Sequence, residues 1–493
     1  MAQYIIGIDQ STQGTKVMLF DAQGKGVLRL DRPHRQIVDA HGWVEHDPEE
    51  IYANLIHLVH DLLTRGGIDP KDIAAVGISN QRETTLAWER ATGRPVYNAV
   101  VWQCTRGEAI CRRLEAQYPS LAETVLSHTG LRHSPYFSAP KLAWILENVP
   151  GVQARAARGE ICCGTVDSYL VFRLTHGAAF RTDYSNASRT ELFNIMDLCW
   201  DETLCGLFGI PAQCLPEVTD SDGDFGMTDF EGLLPRPVPI HGVMGDSHAA
   251  LFGQGCLSRG QMKATYGTGS SIMMNIGETP VLSHAGLVTS LAWKTRGRVQ
   301  YVFEGNINYT GAAISWLKND AGLISDAGET EALARAADPA DQTVLVPAFS
   351  GLGAPYWDSN ARAAFIGMSR TTGRRELVKA AVDCIAYQVN DIVTLMRQEA
   401  GITQVELRAD GGPTRNGYLM QLQADLIDGT VRVPDAEELS CMGAAWAAGL
   451  GIGLYDDRVF SLLRSQTLQP RMSAEVRAAS LARWQDAMNR VRG

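Results

Sequence analysis

Apolar residues along this chain fall into two alternating rhythms, and both halves open on the same one. Tyr4 to Ile8 is a short apolar run and Lys16 to Asp21 a second. Between them lies Asp9-Gln10-Ser11-Thr12-Gln13-Gly14-Thr15, rich in turn formers, and the pattern predicts a strand hairpin. The period then changes. Ile51, Leu55, Leu58, Val59 and Leu62 recur at helical spacing, with Asp47 as N-cap, Glu49 and Glu50 in the first turn and Gly66-Gly67 as the stop. A strand over Ile73 to Ser79 follows and leads into Asn80-Gln81-Arg82-Glu83-Thr84-Thr85, a polar segment between two strand-like runs.

The second half restarts this plan at Met262 to Asn275, where Tyr266-Gly267-Thr268-Gly269-Ser270-Ser271 forms a polar turn inside a hairpin pattern. A duplicated unit is the expected reading. A helix is predicted from about Arg375 to Arg397, with Leu377, Ala381, Ile385, Val389, Ile392 and Met396 on one face. The strand Val405 to Ala409 then delivers Asp410-Gly411-Gly412, and another helix begins near Asn416. The Ala-rich segment Met442 to Leu450 reads as a buried helix whose small residues permit close packing.

A length of 493 residues exceeds what one ordinary core organises. The predicted boundary lies near residue 252, giving a first domain over 1–252 and a second over 253–493. Hydrophobic residues make up 45% and charged residues 20%, which removes compositional support for disorder or coiled coil. Net charge is −11, from 44 basic against 55 acidic residues, with no basic block to track a phosphate backbone. Nucleic acid is therefore not an expected partner. The start MAQYIIGIDQ has no basic segment before its apolar residues, and Leu439 to Tyr455 falls short of the ~20 apolar residues that span a bilayer. No membrane insertion and a soluble, cytoplasmic protein are expected. Ten scattered cysteines without a CxxC pair read as reduced, mostly buried thiols.

Three turns share one character: Asp9 to Lys16, Tyr266 to Ser271, and Asp410 to Asn416. Each alone reads better as a structural turn. Their recurrence in both halves favours phosphate cradles, because Gly and small hydroxylated residues let backbone N–H groups approach phosphate oxygens. None matches GxxxxGK[ST], and no GxGxxG follows the first strand. Asp246 ends the strand-like run Val238 to Met244 after Gly245. It is either an N-cap for the following helix or a general base that takes a proton from a substrate hydroxyl. Asp9 offers the hard oxygens magnesium prefers, or forms an Asx turn.

Several stretches carry a resemblance: Gly42-Trp43-Val44-Glu45-His46-Asp47-Pro48, Asn80 to Thr85, Asn98-Ala99-Val100-Val101-Trp102-Gln103 and Tyr184-Ser185-Asn186-Ala187-Ser188-Arg189-Thr190. Gly351-Leu352-Gly353-Ala354-Pro355-Tyr356-Trp357-Asp358 and Pro135-Tyr136-Phe137-Ser138 with Lys141 add to it. On these residues the chain resembles the FGGY carbohydrate kinase family, and within it the glycerol kinases, over essentially its whole length. The resemblance implies an α/β fold of two RNase H-like domains, as in actin-like ATPases, whose mixed sheets flanked by helices enclose a cleft. It implies Asp246 as general base, with Arg82, Glu83, Trp102 and Tyr136 around a polyol. Asp9 and Asp246 would hold Mg²⁺. Thr12, Gln13, Lys16, Thr268, Gly311, Ser315, Gly412 and Asn416 would contact ATP. A homo-oligomer is also implied.

Two departures bear on the substrate. Ser247 stands where such kinases commonly carry Gln, and Ser271 where they carry Phe. Both remove bulk beside the expected polyol site. The loop Phe230 to Pro239 also lacks the Gly-Gly-Thr-Arg run associated with fructose bisphosphate control in some bacterial members. The expectation is ATP-dependent phosphorylation of a terminal hydroxyl on a small polyol or sugar of four or five carbons. Glycerol is the alternative substrate, and a non-catalytic actin-like nucleotide-binding protein the alternative of another class.

Overall fold

In the computed structural model, which describes residues 3–492, the opening hairpin forms as β1 (Tyr4–Gln10) and β2 (Gly14–Phe20). β3 (Gly26–Pro33) extends it antiparallel, while β4 (Ile73–Asn80) lies parallel on the other side of β1. With β5 (Met227–Thr228) and β6 (Val238–Gly245) the first sheet runs β5-β6-β4-β1-β2-β3. β1 is buried almost throughout, as expected of a central strand covered on both faces. Helix α1 (Pro48–Gly66) covers one face. The Asp47 side chain accepts the Glu49 N–H at 2.9 Å, and Gly67 closes the helix at φ 59°, a left-handed cap.

The second sheet repeats the plan. β7 (Gln261–Tyr266) pairs antiparallel with β8 (Ser270–Gly277) and parallel with β11 (Glu406–Asp410). β9 (Val288–Thr295), β10 (Arg298–Ile307), β12 (Thr430–Pro434) and β13 (Ser465–Leu468) complete the order β9-β10-β8-β7-β11-β12-β13. The duplication reaches single residues: Asp9 on β1 lies beside Ser79 on β4, and Thr265 on β7 beside Asp410 on β11. In both sheets the hydroxyl bonds the acid, at 2.8 Å for Ser79 to Asp9 and 3.2 Å for Thr265 to Asp410.

Other helices follow from local signals. α2 (Ser138–Asn148) flanks a smaller five-stranded sheet that includes Thr85–Glu89 and Ile161–Thr165. α3 (Asp246–Gly253) leaves the end of β6, α4 (Gly311–Asn319) follows β10, and α6 (Gly417–Ile427) starts on the Asn416 cap. α5 (Arg374–Ala400) outruns its predicted span. Its middle is buried nearly all round, since it lies among the second sheet, α6 and neighbouring helices, and Leu377 of the predicted face sits only half-buried at its start.

α7 (Leu439–Gly451) crosses back to the first sheet. The Gly and Ala residues of this segment bring backbones into contact. A Cβ on Gly443 would stand 1.9 Å from the Ala249 carbonyl oxygen, and one on Gly77 2.3 Å from that of Ala444. Leu439, Cys441 and Trp446 thereby share a core with Ile5, Phe20 and Ala75. Each sheet also has its own core, such as Ile6, Val17 and Leu55 in the first and Met262, Ile272 and Ile385 in the second. All ten cysteines are free, and only Cys199 among them is exposed. Among the described residues no helix is long and apolar enough to cross a membrane.

Candidate active site

Asp246 opens α3 at the end of β6, with its side chain 35% exposed. The N-cap alternative does not hold. That position belongs to Gly245, in extended conformation without a side-chain cap, and Asp246 is the first helical residue, its Oδ1 accepting the adjacent Ser247 N–H at 2.5 Å. The strand end is pinned from behind by the Gly245 N–H donating to Ser185 Oγ at 2.9 Å. Gly245 is also needed for space, because a Cβ there would lie 2.6 Å from the Arg82 stem. Ser247 follows, half-buried, in the first turn of α3.

Arg82 and Glu83 leave β4 on the loop that crosses to Thr85–Glu89, and Glu83 takes φ 59°, a left-handed conformation unusual for a non-glycine residue. Arg82 Nε lies 3.2 Å from Asp246 Oδ1. Its two terminal nitrogens donate to both Glu304 oxygens at 2.8 and 2.9 Å, a bidentate fork. Burial opposes the Arg82 charge, but Glu304 and Glu83 outweigh it and raise its pKa well above the ordinary value. Burial likewise opposes a charged Glu304, yet Arg189 and Arg82 hold its carboxyl well below the usual range. Ser271 Oγ donates to Glu304 Oε1 at 3.2 Å. Arg82 thus brings Asp246 and, through Glu304, Ser271 together, while Glu83 pairs with Arg189.

Near the charged groups stands an aromatic corner. The rings of Trp102 and Tyr136 meet edge to face at 5.6 Å, and Trp102 Nε1 donates to Thr12 Oγ1 at 2.9 Å. Tyr136 sits on a loop gathered by Lys141, whose ammonium donates to the carbonyls of Pro135 at 3.0 Å, Tyr136, and Phe137 at 2.5 Å. Burial brings the Lys141 pKa down to about 8.

The three turns differ in what they leave free. In the first, the Ser11 N–H is used by Gly14 O at 2.8 Å, Gln13 is exposed, and the Lys16 ammonium reaches Glu438 at 2.7 Å and Asp9 at 3.7 Å. Burial pushes the Asp9 carboxyl up to about 6, with Lys16 opposing and Asp246 adding to the rise. Two carboxylates that repel each other fit a divalent cation, and magnesium needs only one or two of them beside phosphate oxygens. In the second turn, the Thr310 and Ala312 N–H groups donate to Thr268 O at 3.1 and 3.0 Å, and that of Gly311 to Gly267 O at 2.9 Å. The turn is thereby locked to the start of α4. In the third, Gly411 at φ 99° passes so close to β7 that a Cβ would lie 2.1 Å from Tyr266 O, whereas Gly412 faces open space.

Gly311, Ser315, Gly412 and Asn416 line one cavity of about 510 Å³ together with Ile314, Val382, Ile385 and Leu419. Its apolar walls and polar rim suit a flat heterocycle. Asn416 caps α6 by accepting the Leu419 N–H at 3.0 Å. Thr268 and the first turn lie outside this lining.

Sequence reasoning missed Glu304 and the role of Arg189. A signal existed for each: Glu304 interrupts the apolar run Tyr301-Val302-Phe303, and Arg189 lies in the quoted Tyr184–Thr190 stretch. A charge within a buried strand requires a partner.

Comparison with known proteins bears on the whole chain. A model described as the FGGY family of carbohydrate kinases, N-terminal domain, matches residues 4–253, and its C-terminal counterpart matches 262–452. The chain is 47% identical to glycerol kinase 1 of Thermotoga maritima over 491 residues, 99% of each chain. It is 43% identical to a glycerol kinase of Alkaliphilus oremlandii, covering 100% of this chain and 98% of that one. Among solved structures, Plasmodium falciparum glycerol kinase with ADP superposes with a TM-score of 0.94 at 36% identity, covering 99% of this chain and 98% of the other. A xylulose kinase of Lactobacillus acidophilus shares the fold, with a TM-score of 0.87 at 21% identity over 99% of this chain and 97% of that one.

Proposed function

The chain belongs to the FGGY family of carbohydrate kinases, and from that premise we propose that it transfers the γ-phosphoryl group of ATP to a terminal hydroxyl of glycerol. Phosphotransfer from ATP with Mg²⁺ to a small polyol or sugar is the activity of the family. Glycerol is the finer reading, and it takes precedence over the longer substrate expected from Ser247 and Ser271 because the similar full-length chains are glycerol kinases. The observation that carries the phosphotransfer is Asp246, partly exposed beside Arg82.

In this reading Arg82 and Glu83 fix the polyol hydroxyls and the Trp102–Tyr136 corner covers the carbon chain. Asp246 accepts the proton of the terminal hydroxyl as its oxygen forms a bond to the γ-phosphorus, while the bond from that phosphorus to the ADP oxygen breaks. Asp9 and Asp246 would hold Mg²⁺, which when bound neutralises charge on the phosphate oxygens. Gly311, Ser315, Gly412 and Asn416 receive the nucleoside; Thr12, Gln13, Lys16 and Thr268 serve the phosphates. The enzyme works in the cytoplasm and as a homo-oligomer, and light scattering of the purified protein tests the oligomeric state.

A second reading, a four- or five-carbon polyol or ketose, is favoured by the short side chains of Ser247 and Ser271 next to Asp246 and Glu304. One experiment separates the two: ATP-dependent ADP formation with three- to six-carbon polyols and sugars. Glycerol is expected to give the highest kcat/KM. A lead for erythritol, a pentitol or a pentulose installs the second reading, and ADP release indifferent to any added polyol removes both.

A further inference from the structure

Glu304 belongs to β10 of the second sheet, yet its carboxylate pairs with two arginines of the first half. Three side chains converge on it. Arg82 supplies the two-pronged fork, Ser271 a hydroxyl, and Arg189 Nη1 approaches to 3.0 Å as an ion pair that is out of line for a hydrogen bond. Arg189 Nε in turn donates to Glu83 Oε1 at 2.5 Å. The side chains of Arg82, Glu83, Arg189 and Glu304 are only 7%, 2%, 1% and 1% exposed.

Two buried arginines thus face two buried glutamates, and their charges cancel without Asp246. Lys263, buried nearby, has its own opposing charge in Asp410. Asp246 touches Arg82 only through Nε, at 3.2 Å. If Glu304 lost its charge, the Arg82 fork would keep at most one acceptor and no counter-ion there, with its side chain only 7% exposed. Asp246, the nearest remaining carboxylate, would become its counter-ion. Arg82 would then turn away from the polyol, and the Asp246 oxygens would be occupied.

We propose that Glu304 is the positioning residue of the polyol site: it holds the Arg82 fork from the opposite half of the protein and thereby leaves Asp246 free for the substrate hydroxyl. This rests on the reading of Asp246 and Arg82 given above. It also means that the second half contributes to the polyol site as well as to the nucleotide site.

The test is Glu304→Gln alongside Glu304→Asp, with kcat, KM for polyol, KM for ATP and Tm measured for each. Glu304→Gln should lose on the order of 10²-fold in kcat/KM for the polyol, the usual consequence of a misplaced binding group, while KM for ATP stays within about threefold. Glu304→Asp keeps the charge but shortens the reach, so it should fold with a Tm nearer the wild type, raise the polyol KM and retain more kcat than Glu304→Gln. Folded variants with wild-type polyol kinetics would overturn the proposal. So would a parallel rise in both KM values, or failure of both variants to fold, either of which makes Glu304 a general structural residue. If the wild type itself forms no ADP in response to a polyol, the reading of the site fails and takes this inference with it.

Discussion

The indole of Trp102 donates to the hydroxyl of Thr12 at 2.9 Å, tying the aromatic corner to the first glycine-containing turn. Both were expected at the site, Trp102 for the polyol and Thr12 for the nucleotide, and the bond makes them orient each other. Thr12→Val keeps the shape and removes the acceptor. An indole N–H without a partner costs about 1 kcal/mol or more, so polyol KM should rise roughly fivefold, with the fold intact. Steady-state kinetics varying each substrate in turn check this, and an unchanged polyol KM counts against the coupling.

Asp246→Asn removes the proton acceptor while preserving side-chain volume at the start of α3. Turnover should fall by about 10² to 10⁴, and binding of ATP measured by calorimetry should survive. A variant that turns over at close to the wild-type rate would remove Asp246 from its role.

Gly443 lies where α7 meets α3, and a methyl group there would collide with the Ala249 carbonyl at 1.9 Å. The obstacle is backbone, which cannot swing aside. Gly443→Ala should therefore destabilise the protein by about 3 kcal/mol, read as a lower midpoint in urea. Equal midpoints would show that the two helices can separate without loss.

Asp391 accepts Trp484 Nε1 at 2.7 Å and the Tyr356 hydroxyl at 2.8 Å on one oxygen, and burial still pushes its carboxyl up to about 6 from 3.8. Because the folded state holds this proton more tightly than the unfolded chain, its contribution is complete below about pH 4 and is lost as pH rises through about 6. Asp391→Asn can keep both hydrogen bonds and has no charge to bury. Its stability relative to the wild type should therefore climb between pH 4 and 7, by up to about 3 kcal/mol. Urea titrations at several pH values measure the difference, and a constant offset across that range contradicts the assignment.

How much of this was legible in the sequence differs from element to element. The hairpin at β1–β2, its repeat at β7–β8, the caps of α1 and the start of α6 at Asn416 could all be read, because each depends on side-chain periodicity or on bonds between residues a few positions apart. The small residues of α7 announced close packing but not its partner. Only the folded chain decided that Gly443 lies against Ala249 of α3 and Ala444 against Gly77 of β4.

The same division runs through the site. Residue types and motif resemblance nominated Asp246, Arg82, Glu83 and Trp102 as candidates, and the structure places Arg82 beside Asp246. The charge balance that leaves Asp246 free was not. Arg82 meets Glu304 across 222 positions and Glu83 meets Arg189 across 106. A buried glutamate in a strand signals only that some cation must accompany it; which cation is settled by the approach of one sheet to the other half, a long-range consequence of packing that no local pattern records.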